Sequence, residues 1–181
     1  MSSLKEKALQ KIGRNVVNLS KIEGMLKLIL INSNYQYPIN KISETLEARK
    51  KSFKTKTLGQ LIKEYFKIFD NDMEHMHQYP EDRDEAWGSM SLSIENEEGT
   101  LPDQKRSIEF LVSERNRLVH YMLVKFNPES KQDCIELINE LDEQNEMIQR
   151  EYKNIQTLMG TLKEGLIKLD KSHINQKHRV K

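Results

Sequence analysis

A single cysteine, Cys134, stands in a chain of 181 residues, which rules out an intrachain disulfide and any multi-cysteine zinc site. Only 4 prolines and 7 glycines punctuate the sequence, so turns are few and the elements should be long. No apolar run exceeds four residues, as at Leu28–Ile31, where a membrane span needs about 20. The opening MSSLKEKALQKIGRN lacks the apolar core of a secretion signal, so a cytoplasmic location without a membrane partner is expected. A glycine-rich phosphate loop, a G-x-S-x-G elbow and a Cys–His nucleophile pair are also missing. With neither a long-period repeat nor a low-complexity tract, the chain reads as one domain over residues 1–171, followed by a basic flexible tail at 172–181.

What is present is amphipathic. Hydrophobic residues make up 36% and charged residues 31%, a balance that suits long helices exposing much of their surface. Ser3-Leu4-Lys5-Glu6 has the form of a capping box, and Leu9, Ile12, Val16, Leu19, Leu26 and Leu30 follow at helical spacing as far as Asn32–Asn34. A short helix is expected from Pro38 to about Arg49, and another from a second box, Thr57-Leu58-Gly59-Gln60. Near 80–101 the helical pattern fails. Met90, Leu92 and Ile94 alternate with serines there, which predicts a small irregular or hairpin excursion. Helical spacing resumes after Pro102 and runs to about Phe126, and Asn127-Pro128-Glu129 reads as cap, first-turn proline and favourable acid. In the last helix Cys134, Ile138, Leu141, Asn145, Ile148, Tyr152, Ile155, Met159 and Leu162 alternate by four and three, a heptad seam with one polar position. That seam packs either against the first helix or against a second copy of the chain. The fold class is all-α: a bundle of about five helices with a long C-terminal amphipathic helix.

Lysine plus arginine number 29 and aspartate plus glutamate 28, yet the charges are unevenly placed. Arg49, Lys50, Lys51, Lys54 and Lys56 form a basic stretch, whereas Asp70, Asp72, Glu74, Glu81, Asp82, Asp84 and Glu85 are acidic. Such polarity suits a charged partner, or it marks two solvated loops. If RNA is that partner, Lys50, Lys51, Lys54 and Lys56 are the candidate phosphate contacts, on a loop whose Phe53 could stack on a base. Metal sites find little support. Asp70, Asp72, Glu74 and Glu81 fall on a calcium-loop template, but His75 occupies its glycine position. His75 and His77 are two apart and point to different sides of a helix. No cofactor or metal is therefore expected.

One segment carries chemistry. The stripe Ile108, Leu111, Val112, Leu118, Val119, Met122 is interrupted by Arg115 at a seam position, where an unpaired guanidinium is costly. Asn116 follows, and His120 lies four residues beyond it on the same helix face. Arg115 and His120 are about 140° apart around an ideal helix, an angle that a long guanidinium can span at a shared anion. The plainer reading is a snorkelling arginine beside a packed histidine.

Arg115-Asn116-Arg117-Leu118-Val119-His120 resembles the signature of HEPN domains (higher eukaryotes and prokaryotes nucleotide-binding). In that family an arginine, usually followed by a polar residue, precedes a histidine late in a helical bundle. The resemblance implies a metal-independent endoribonuclease acting as a homodimer, with Arg115, Asn116 and His120 as catalytic residues. It also implies a toxin or antiphage role under an antitoxin or other regulatory partner. Family toxins modified by a nucleotidyltransferase antitoxin carry a tyrosine two places after the histidine; here Tyr121 follows immediately and Met122 takes that place. The alternative is a non-catalytic helical scaffold or dimerisation module.

Overall fold

The computed structural model describes residues 2–67, 85–92 and 100–177. The acidic residues from Asp70 to Asp84, both histidines of the His75-Met76-His77 run and the last four tail residues lie outside these. The elements are α1 (Ser2–Ile31), β1 (Tyr35–Pro38), α2 (Ile42–Lys54), α3 (Leu58–Lys67), β2 (Trp87–Met90), α4 (Thr100–Arg117), α5 (Leu123–Lys125) and α6 (Lys131–Lys177). A π-helical turn, Leu118–Met122, joins α4 to α5. The all-α bundle with a long C-terminal helix is therefore what the chain forms.

Side-chain rungs fix the directions. Lys5 meets Glu129 at 2.7 Å, Lys11 and Arg14 meet Asp142, and Asn18 reaches Asn145 at 3.2 Å, so α1 and α6 run parallel. Ser107 bonds Glu151, Gln144 bonds Glu114 and Arg117 bonds Glu140, so α4 descends against the rising α6. Arg49 on α2 reaches back to Leu30 and Ile31, while Lys27 Nζ donates to the Lys54 carbonyl at 3.1 Å. The five main helices thus go up, down, up, down and up. Their inward stripes supply one core, including Ile22, Leu26, Ile29, Leu61, Tyr65, Ile108, Leu111, Leu141 and Ile148.

The heptad seam of α6 closes within the chain. Leu141, Ile148 and Ile155 are buried in the shared core, and the one polar seam position, Asn145, accepts from Asn18 of α1. Beside it, Asn15 Nδ2 donates to the Leu141 carbonyl at 2.8 Å and to Gln144 Oε1 at 3.0 Å. Intramolecular packing, rather than a coiled-coil dimer, accounts for the periodicity. The 47 residues of α6 make a rod of about 70 Å, against about 45 Å for α1, and continue to Lys177 past the expected start of the tail at Ser172.

Local signals were displaced by a residue or more. α1 already begins at Ser2, so Ser3 lies inside it rather than capping it. Half of the second box forms, with Gln60 Oε1 accepting from the Thr57 N–H at 2.9 Å while the Thr57 hydroxyl donates to the same oxygen at 3.3 Å. Asn127 makes a turn, its Oδ1 accepting from Glu129 N at 3.1 Å, and Ser130 caps α6 by accepting from Asp133 N at 3.2 Å. The excursion is not a local hairpin in its described part. β2 pairs antiparallel with β1, from Tyr35 opposite Met90 to Pro38 opposite Trp87. Asn34, at φ 51°, turns the chain out of α1 and accepts from the Leu92 N–H at 2.8 Å. Gly88 leaves room for the Tyr37 ring, since a Cβ there would come within 2.7 Å of it and push the ring aside.

Candidate functional site

Helix α4 delivers the motif. Leu111 and Leu118 anchor it in the core, and buried Glu114 is held by Gln144 Nε2 at 3.0 Å and by Arg117 at 3.2 Å. Arg117 is also bound by Glu140 at 2.6 Å, so its charge is spent between two carboxylates. This clamp sets the rotation of the helix and with it the direction of the three candidate residues.

Arg115 is half-buried in a groove against α1, with Val16, Leu19, Ser20 and Glu23 on one side and Leu118 and Val119 on the other. Glu23 is paired with Lys27 at 2.8 Å. The polar contact of Arg115 is Asn116, whose Oδ1 accepts from Nη1 at 3.2 Å. Among the described residues Arg14, Arg106, Arg117 and Arg150 all sit on carboxylates, and Arg49 sits on carbonyls. Arg115 alone has neither. Asn116 and His120 are exposed.

His120 lies in the π-helical turn, which closes through the Leu123 N–H on the Leu118 carbonyl. A turn bonded i to i+5 holds roughly one residue more than an α turn, so it narrows the angular gap between Arg115 and His120. Such turns recur at functional sites. Even so, no described pocket holds both. Arg115 faces the α1 groove, and His120 lines none of the described pockets.

The basic stretch is helix as far as Lys54, with Lys56 in the connection to α3. Arg49 is drawn inward onto the end of α1, and Phe53 is buried, so neither is free for RNA. Lys50 pairs with Glu47 at 2.6 Å, and Lys56 pairs with Glu64 at 2.9 Å while lying over the Phe53 ring. Lys51 and Lys54 are exposed. Only part of the expected cationic surface is therefore open.

The tyrosine that follows His120 borders a cavity that the sequence did not foretell. Tyr121 is 61% exposed, with Lys125 Nζ 4.3 Å from its ring centre, and both border a cavity of about 360 Å³ beside the first turns of α6. Among the described residues no group of three His, Cys, Asp or Glu side chains is placed to hold a metal ion. No described helix is long and apolar enough to cross a membrane. No family model, no curated protein and no solved structure matches the chain.

Proposed function

We propose that the chain is a metal-independent endoribonuclease of HEPN type, active as a homodimer in which two copies of the motif complete one site. The observation that carries this reading is Arg115: a half-buried guanidinium, oriented by Asn116 and left without a carboxylate among the described residues. A partly desolvated, unneutralised cation is stabilised by an arriving anion, and RNA supplies one at every phosphate.

The chemistry follows from the residues. His120 takes the proton from a ribose 2′-hydroxyl, and the oxygen attacks the adjacent phosphorus. A P–O2′ bond forms, the P–O5′ bond breaks, and the His120 of the second copy protonates the departing 5′-oxygen. The guanidinium of Arg115 stabilises the charge that grows on the non-bridging oxygens, and Asn116 holds the guanidinium in place. A cyclic 2′,3′-phosphate is the first product. The dimer interface includes the Arg115–His120 helix, where exposed Phe110 and Val124 flank the motif. Lys51 and Lys54 guide RNA toward the site, and an antitoxin or other regulatory protein restrains it in the cytoplasm.

A second reading, a non-catalytic interaction module, draws on Arg115 lying in the α1 groove, a pocket that His120 does not line. Incubating purified protein with total RNA in EDTA, alongside His120→Ala and with light scattering on the same samples, separates the two. Cleavage by a dimer that is lost in the variant is expected. A monomer that leaves every RNA intact would favour the module.

A further inference from the structure

The cavity beside His120 has a composition that the cleavage chemistry does not use. It lies between the π-helical turn and the start of α6, holds about 360 Å³, and is lined on the turn side by Tyr121, Met122 and Phe126. Its opposite edge is made by Asp133, Glu136 and Glu140, spaced three and four residues apart on one face of α6. Each of these carboxylates spends one oxygen inside the protein. Asp133 Oδ1 accepts from Ser130, Glu136 Oε1 accepts from Gln132 at 2.6 Å, and Glu140 Oε2 accepts from Arg117 at 2.6 Å. Asp133 Oδ2, Glu136 Oε2 and Glu140 Oε1 have no protein partner among the described residues.

A phosphate does not fit there. The lining carries three carboxylates against Arg117 and Lys125, and Arg117 is already neutralised by Glu114 and Glu140. A flat group that stacks on one side and donates hydrogen bonds on the other does fit. Ionised carboxylates only accept, so the edge selects a ligand edge that gives protons. A nucleobase bearing an amino group has these properties, with an aromatic face for Tyr121 and N–H donors on its Watson–Crick edge. Guanine presents two adjacent donors, whereas uracil offers one between carbonyls. Lys125 over the Tyr121 ring holds that wall in place and keeps a cation at the rim, where the backbone phosphate would lie.

We infer that this cavity is a base-recognition pocket that seats an amino-bearing nucleobase, guanine foremost, next to the phosphodiester at His120. The inference rests on the ribonuclease reading, and makes Tyr121 and Glu136 specificity residues of that site.

The test is titration of GMP, AMP, CMP and UMP into the full-length protein by calorimetry, with Tyr121→Ala and Glu136→Gln in parallel and circular dichroism checking that both remain helical. GMP should bind at least about tenfold more tightly than UMP, the scale of one well-placed hydrogen-bonded contact. Tyr121→Ala should weaken GMP by about 5- to 150-fold, the loss expected when one stacking aromatic is removed. Glu136→Gln should shrink the GMP preference while leaving UMP unchanged. Equal binding of all four nucleotides, no binding at millimolar concentration, or an unchanged preference in Glu136→Gln would overturn the pocket. So would an arginine-rich peptide binding in place of nucleotides, which would mark the cavity as a protein-docking site. Cleavage of RNA homopolymers in the same preparations keeps the two readings apart. Selective GMP binding without cleavage retains the pocket and sinks the nuclease; cleavage of poly(U) as fast as of other sequences does the reverse.

Discussion

Arg49 offers the sharpest test of the fold. Its guanidinium donates to the Ile31 carbonyl from Nε at 2.8 Å, and from Nη2 to the Ser33 carbonyl at 2.7 Å and to the Leu30 carbonyl. Those carbonyls belong to residues that are each at least 91% buried, at the end of α1 where backbone acceptors lack helical partners. The same group lies 4.7 Å from the Tyr35 ring centre and 5.7 Å from that of Phe53, tying β1 and α2 to the helix end. Arg49→Ala removes the donor and strands the acceptors. Hydrogen bonds to a charged group contribute about 1.5–3 kcal/mol each, and the ring contacts about 0.5–2 kcal/mol. These terms are not additive, and burying the guanidinium already has a cost, so a net loss of about 3–4 kcal/mol is expected. For a chain of this length that lowers Tm by roughly 6–16 °C. Arg49→Lys keeps the charge but not the fork, and should recover less than half of the loss. Reversible urea unfolding followed by circular dichroism measures both variants. A loss below about 1 kcal/mol for Arg49→Ala would refute the argument and return Arg49 to the solvated basic surface.

Three further outcomes follow. Asn18→Leu and Asn145→Leu should each destabilise by about 1–2 kcal/mol by leaving a polar partner in the α1–α6 seam, while the double variant should recover most of that loss; a double-mutant cycle in urea reads the coupling. Lys51→Gln with Lys54→Gln should weaken RNA binding and lower the slope of log affinity against log salt by about 1–2, whereas Lys50→Gln with Lys56→Gln should change it less because both lysines are already paired; filter binding across a salt series distinguishes them. Acid should loosen the α1–α6 contact: Lys11 and Arg14 hold the Asp142 carboxyl below its usual range, so its contribution is present above the ordinary aspartate pKa and fades as pH falls through the lowered one. Asp142→Asn should therefore lower Tm at neutral pH and make no difference once the carboxyl is protonated.

How far the sequence could be read depends on whether a signal is local. The stripes of α1, α3 and α6 are periodic and declared their helices, and half of the Thr57–Gln60 box formed. Periodicity names a face but not its partner. The seam of α6 looked equally suited to a second chain until Asn18 was found opposite Asn145. β1 was missed because Tyr35–Pro38 is a strand only through its pairing with Trp87–Met90, fifty residues away. The basic stretch misled because five cations in eight residues read as a solvated loop. Its Leu46, Arg49 and Phe53 spacing instead continues α2 and turns Arg49 and Phe53 inward. Arg115 as an intruder in an apolar stripe was legible, and so was the face shared by Asn116 and His120, though not that it is exposed. The π-helical turn was not, since Leu118 and Met122 suit an α turn equally well. Neither was the role of Glu114, which needs Gln144 and Arg117 beside it to make a clamp.

If Arg115 and His120 promote attack by an RNA 2′-hydroxyl, as proposed above, that hydroxyl is indispensable at the cut bond. An oligoribonucleotide cut by the wild-type protein, resynthesised with a single 2′-deoxy nucleotide on the 5′ side of the scissile phosphate, tests it most directly. The substituted bond should survive in EDTA while the unmodified oligonucleotide yields a 2′,3′-cyclic phosphate by mass spectrometry. His120→Ala should slow that cleavage by about 10²–10⁴ and Arg115→Ala by about 10²–10³. Cleavage at the deoxy position, or cleavage undiminished in His120→Ala, would contradict it.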